Sequence, residues 1–204
     1  ITAEWTDAQF VNAVILPFCN LTSTATMQVE LFTNVADVTP VYDSGAVACC
    51  GHSSFDVFDW GGAPLGVNAF SVGGGTYARV YTDIHVVKKV IITIVDTGNS
   101  SAYIESGCLV IGKYWSPTKN AAYGANISIS STNKIERSHA GDSILTQGTL
   151  HKSLDFNLEW LDAVDRDYVS DMLKVNQAPV FISIYPEDTD ITKEQNAQVY
   201  GRAG

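Results

Sequence analysis

Ser138, His139 and Asp142 bring the side-chain types of a nucleophile, a base and an orienting carboxylate into one short stretch, and His151, Ser153 and Asp155 repeat the set at alternate positions. Neither set makes a proton relay. Neighbours along a turn rarely converge into nucleophile–base–orienter geometry. Alternate residues of a strand stand about 6.6 Å apart on one face and point in parallel. The chain has no GxSxG, HExxH, GxxxxGK[ST] or dinucleotide-type GxGxxG, so each familiar catalytic architecture lacks its spacing. Gly73–Gly75 precedes a strand and does not open a helix, which makes it a sharply turned loop. No catalytic residue is expected, and the chain is not read as an enzyme.

Metal and redox chemistry fare no better. Glu187, Asp188 and Asp190, with Glu194 beyond them, offer hard oxygens suited to Ca²⁺ but lack the glycine and spacing of an EF-hand, so a solvated acidic loop is the simpler reading. Asp162, Asp165, Asp167 and Asp171 surround the start and polar side of a predicted helix, where they favour its N-terminal dipole. Cys19, Cys49, Cys50 and Cys108 show no zinc spacing and read as reduced, mostly buried thiols; a disulfide such as Cys19 to Cys108 is the alternative. No metal and no cofactor is expected. Sequons at Asn20, Asn99 and Asn126 are read as chance.

Twenty-two acidic residues against twelve Lys plus Arg give a net charge of −10, a field that repels phosphate backbones and anionic headgroups. Nucleic acid is therefore excluded as a partner. No apolar run reaches the roughly 18 residues of a membrane-spanning helix. Ile1 does not start translation, so any leader lies outside this sequence. Apolar residues make up 46% of the 204, enough for a substantial core without disulfide help.

The elements are mostly strands. NAVILPF (12–18) is a short apolar run, and Ala25, Met27, Val29 and Leu31 alternate with Thr26, Gln28 and Glu30 as a half-buried strand should. Together with PVYDSGAVACC, residues 10–50 read as consecutive strands of an antiparallel meander or Greek key. Glycines interrupt aromatics from Gly51 to Gly75, a long structured loop. VVKKVIITIVD and YIESGCLVIGKYW predict two adjacent strands buried on both faces. After a boundary near 117, Leu150, Leu154, Phe156, Leu158 and Trp160 line one face of a further strand. Val164, Tyr168, Val169, Met172 and Leu173 predict one helix over 162–176, capped by Asp162. VFISIYP is a last strand, and Glu187–Gly204 a polar tail running over a surface. The class is mainly β with a small α+β element.

NLTSTATMQVELFT, VYDSGAV and YARVYTDIHVVKKVIITIVDTGNSSAYIESGCLVIGKYWSP resemble the discoidin-like (galactose-binding-like) jelly roll, in which a Tyr-Ile-Glu step precedes Gly-x-Leu-x-Ile-Gly, here Tyr103–Glu105 and Gly107–Gly112. With LDFNLEWLDAVDRDYVSDMLKV and PVFISIYPED, the pattern over roughly residues 10–186 is similar to tailed-bacteriophage minor tail, distal tail or baseplate structural proteins. That resemblance implies a jelly-roll β-sandwich over 1–117, followed by a β-rich segment over 118–204 with one helix and an extended tail. It also implies a virion tail subunit, assembled in the host cytoplasm, that joins copies of itself and other tail proteins in a ring or baseplate. No ligand loop of the family carries over residue by residue. The glycine-rich loop and the tail cannot easily pack as local cores, so Trp60, Leu65, Val67, Phe70, Pro186, Ile191 and Tyr200 are the expected assembly contacts. The alternative is a carbohydrate-binding sandwich with Trp60, Tyr77, Tyr114 and Trp115 as a sugar-stacking platform.

Overall fold

The computed structural model describes residues 1–51, 76–99, 101–119, 121, 124–132, 134–137, 143–146, 150–175, 179–185 and 191–202. They form two compact units. The first combines the chain before Ser116 with residues 183–198, and the second holds Ser116–Ile182 and Val199–Gly204. The stretch expected to form one C-terminal segment, 118–204, is therefore shared between them.

The chain is mainly β, as its composition of β-branched residues dictates. In the first unit, β1 (Thr2–Cys19), β2 (Thr26–Phe32), β3 (Tyr42–Asp43), β4 (Val47–Ala48), β5 (Thr76–Val95) and β6 (Val110–Gly112) make one antiparallel sheet ordered β3-β2-β5-β1-β6, with β4 also on β2. This order corrects two expectations. Of the meander or Greek key expected over residues 10–50, the meander is excluded, because β5 inserts between β1 and β2. The strands predicted around 86–95 and 103–114 are not neighbours, because β1 separates β5 from a β6 of three residues. Tyr103 and Ile104 lie exposed before it.

Period two governs the core. Met27, Val29 and Leu31 are fully buried and pair across to Ile94, Ile92 and Val90 of β5. Cross-strand partners share one face, so these residues make a continuous apolar layer with Val14, Leu16, Ala78 and Val80. Val86 and Val95 are about half exposed, so the distal part of β5 is one-sided and not buried on both faces as predicted. Two-sided burial occurs instead where β1 passes through 11–17. There Val14 and Leu16 pair with Val80 and Ala78 on the core face, while Ala13 and Ile15 pair with Tyr81 and Arg79 on the other.

β1 is irregular where it must turn. Its register against β5 shifts between Leu16 and Cys19, and Phe18 takes a left-handed φ of 55°. Pro17 offers no N–H there, a combination typical of a bulge. The Phe18 carbonyl accepts the Gly107 N–H at 3.2 Å. A Cβ on Gly107 would lie 3.3 Å from the Phe18 Cβ, which explains why a glycine stands at this crossing. Nearby, the Asp96 carboxylate takes the Thr22 N–H at 2.7 Å and the Thr22 hydroxyl at 2.6 Å, fixing the β1–β2 turn to the end of β5.

In the second unit β7 (Asn126–Ser131) pairs with β10 (Leu150–Asp155), and β8 (Lys134–Arg137) with β9 (Ser143–Thr146). β10 stops at Asp155, so the predicted strand face through Phe156 and Trp160 is interrupted, and both aromatics are exposed. The helix predicted over 162–176 is α1 (Ala163–Val175). Asp162 caps it as expected, its Oδ1 accepting the Asp165 N–H at 2.8 Å. Asp165 is itself buried and accepts the Thr118 N–H at 2.9 Å. β11 (Val180–Ser183) pairs with β12 (Gln198–Gly201), and α2 (Ile191–Asn196) lies between them in sequence.

Leu31→Ala removes a fully buried side chain from the central apolar layer and is expected to lower unfolding stability by about 2–5 kcal/mol. Glu30→Ala, one residue away on the other face, should stay within about 0.5 kcal/mol. Urea unfolding of both variants checks the pair.

Candidate functional site

The C-terminal stretch is where the sequence reading and the structure part most sharply. Its residues 187–204 were expected to run polar over a surface, yet Glu194, Gln195, Ala197 and Gln198 are buried in the first unit. Glu194 is wholly inaccessible, and its Oε2 accepts both Nε of Arg79, at 2.7 Å, and Nη2 of the same guanidinium. Its Oε1 accepts the Gln198 amide at 2.8 Å, the Tyr81 hydroxyl at 3.1 Å and the Ser183 hydroxyl at 3.4 Å. Gln195 accepts the Gly51 N–H at 2.7 Å.

Arg79 and Tyr81 stand on the same face because they are two residues apart on β5, opposite Ile15 and Ala13. The Arg79 guanidinium lies 5.7 Å from the Tyr81 ring centre, and the Tyr114 ring meets Tyr81 edge-on at 5.7 Å. The chemistry of this cluster is that of a strut. A carboxylate has about four lone-pair sites, and donors from four residues already fill those of Glu194. It has no vacant position from which to take a substrate proton. Burial of Glu194 corrects its reading as part of a solvated acidic loop, whose other members, Glu187, Asp188 and Asp190, lie outside the described residues. Among the described residues no group of three or more His, Cys, Asp or Glu side chains fits a metal ion.

Of the expected assembly contacts, Trp60, Leu65, Val67, Phe70 and Pro186 lie outside the described residues. Ile191 opens α2 and Tyr200 sits in β12, both half-buried. Of the sugar-platform residues, Trp60 is again outside the described residues. Tyr77 is buried and packs on Phe18 at 5.6 Å between ring centres. Tyr114 is occupied by Tyr81, and Trp115 is half-buried. Ser138, His139 and Asp142 lie outside the described residues, while His151 and Asp155 are exposed and Ser153 bonds the Ser128 hydroxyl at 3.1 Å. Two sequon asparagines prove structural: Asn20 and Asn99 both donate from Nδ2 to the Tyr103 carbonyl at 3.0 Å. Their amides tie the 99–105 loop to the end of β1.

Sequence reasoning missed an apolar strip. Phe10 of β1 and Val86 of β5 are direct cross-strand partners, and both are about half exposed or more, as is Ile84. The signal lay in Phe10, which stands at the start of the 10–50 stretch with no core partner assigned to it. It could not be read without knowing that β5 is the neighbour of β1.

All four cysteines are free, so the alternative Cys19 to Cys108 bridge is not formed. Cys19, Cys49 and Cys50 are buried, matching the reading of small apolar thiols, while Cys108 is half-buried.

Arg79→Met strands the Glu194 carboxylate and is expected to cost about 3–5 kcal/mol in urea unfolding. Adding Glu194→Gln should recover part of that loss, because the amide oxygen still accepts from Tyr81 and Gln198. Burial, and next the Glu194 charge, push the Tyr81 hydroxyl well above the ordinary tyrosine value. The neutral phenol is thus favoured by folding, a contribution complete below about pH 10 and lost as pH rises from there toward the folded value. The neighbouring sulfurs of Cys19 and Cys49, and then burial, raise the Cys50 thiol in the same direction. Tyr81→Phe should therefore lose less stability than the parent chain between about pH 9 and pH 11, as read by urea midpoints across that range. Comparison with protein-family models, curated proteins and solved structures finds no match to this chain.

Proposed function

We propose that this chain is a structural subunit that works by assembling with copies of itself and with other polypeptides, of the kind that builds the tail ring or baseplate of a bacteriophage. The observation that supports this most is the strip of Phe10, Ile84 and Val86, which the sheet leaves open to water. Residues of this size exposed together on a sheet face mark a contact surface. Val35, Val38 and Val41 add exposed apolar side chains on the loop between β2 and β3. Lys89 holds that loop in place through the Val35 and Asp37 carbonyls at 2.7 and 2.6 Å, so its exposed side chains are presented on an ordered support. The tail-protein resemblance of the sequence points the same way. The carbohydrate-binding alternative loses support, because Tyr77 is buried and Tyr114 is engaged by Tyr81.

The charge of −10 sets how such contacts respond to salt. Like-charged copies repel, and screening at about 0.15 M shortens the range of that repulsion to about 8 Å. Light scattering should give a particle mass several times the 22.0 kDa chain, rising as ionic strength is raised to physiological values. Replacing Phe10 and Val86 together with Ser should reduce that mass while leaving the unfolding midpoint nearly unchanged. A chain that stays monomeric at every concentration and salt would remove the assembly reading.

A further inference from the structure

In the second unit β7 and β10 pair through every residue from Asn126↔Asp155 to Ser131↔Leu150 with no register shift. Alternation then sorts their side chains. Ile127 and Ile129 share one face with Leu154, while Ser128 and Ser130 share the other with His151 and Ser153. Ile129 is 55% exposed, and Ile127 and Leu154 are half-buried. Among the described strands only β10 pairs with β7, so the second edge of β7 carries no strand. A two-stranded ribbon is marginal in water, and widening it over an apolar face is what stabilises such strands.

Open edges are ordinarily guarded by charge, proline, a bulge or short length. Where no described strand covers them, β1 and β5 carry Glu4, Asp7, Asp83 and Lys88, and the β1 register also breaks between Glu4 and Gln9. The open edge of β10 carries Lys152 and Asp155, and β3, β4, β6, β8, β9, β11 and β12 have at most four residues each. β7 has six regular residues, Asn-Ile-Ser-Ile-Ser-Ser, and none of these guards. We propose that β7 pairs antiparallel with β7 of a second copy about a two-fold axis at Ser128, giving a four-stranded sheet ordered β10-β7-β7-β10. In that register Ile127 of each copy lies opposite Ile129 of the other, and Ser128 lies opposite its own copy, so like side chains meet across the new strand pair. Charge selects a second copy as the occupant. Chains of net charge −10 repel, and a neutral edge with its ions on the far strand lets two of them meet without like charges face to face, while it offers a charged partner no ion to pair with. A two-fold contact uses the same edge on both sides and so closes on itself.

This contact lies apart from the Phe10 strip and rests on the assembly reading only in needing copies to meet. An edge of six residues makes a small interface, so the pairing is weak and concentration-dependent. Hydrogen exchange of the full chain at micromolar and at near-millimolar concentration reads it. Expected is slowed exchange, at the higher concentration only, of the β7 amides that do not bond to β10. Ser128→Lys sets two cations opposite each other on the axis and should abolish that protection with the unfolding midpoint nearly unchanged. Ser128→Glu should do the same, and an equimolar mixture of the two chains should restore it. The Phe10→Ser, Val86→Ser chain should keep the protection. Exchange of the β7 amides that is alike at both concentrations overturns the contact, and so does protection that survives in either Ser128 variant alone. If light scattering still shows assembly in those cases, only this contact falls; if the parent chain is monomeric throughout, the assembly reading falls with it. Exchange in the unmutated chain decides the matter even if the Ser128 variants do not fold.

Discussion

The ion pair of the half-buried Arg79 with the buried Glu194 is the constraint around which the first unit is arranged. A sheet has two faces, and where β1 passes through residues 11–17 both are buried. One face is closed by ordinary apolar packing. The other carries a guanidinium that cannot stay dry without a carboxylate, because an unpaired buried ion costs several kcal/mol. Glu194, 115 residues further along the chain, meets that demand. Its remaining lone pairs gather Tyr81, Ser183 and Gln198, so one carboxylate fixes α2 and Gln198 to the first residues of β5.

Burial of this kind uses polar groups for position more than for stability. Apolar residues of similar volume would close the same face with less demand on geometry. A charged anchor specifies one register, since only one placement of the C-terminal stretch fills every acceptor. Among the described residues of this stretch the fully buried side chains are Glu194, Gln195 and Gln198, polar types that from composition alone read as a solvated tail. The surface left over is equally telling. Phe10, Ile84 and Val86 lie exposed on a sheet whose central apolar layer is enclosed, and that grouping is what supports the proposal of a contact strip.

The chemistry-bearing residues of the chain are spread among structural duties. Asn20 and Asn99 hold a loop, Asp96 fixes a turn, Asp162 caps α1, and Glu194 neutralises an arginine.

What could be read from the sequence was local. The alternation from Ala25 to Leu31, the β-branched density of β5 and the Asp162-capped helix each depend on a few neighbouring residues, and each is present in the structure. Period and propensity act within a strand or a helix turn, so they survive in any arrangement of the elements. Strand order does not have that property. Nothing in residues 86–114 says that β1 lies between β5 and β6, since backbone hydrogen bonds are alike for every strand and the choice of partner depends on how whole faces pack. The docking of Glu194 on Arg79 and the pairing of Phe10 with Val86 both follow from that order. They were settled by tertiary structure because each joins residues far apart in sequence whose proximity no local pattern encodes.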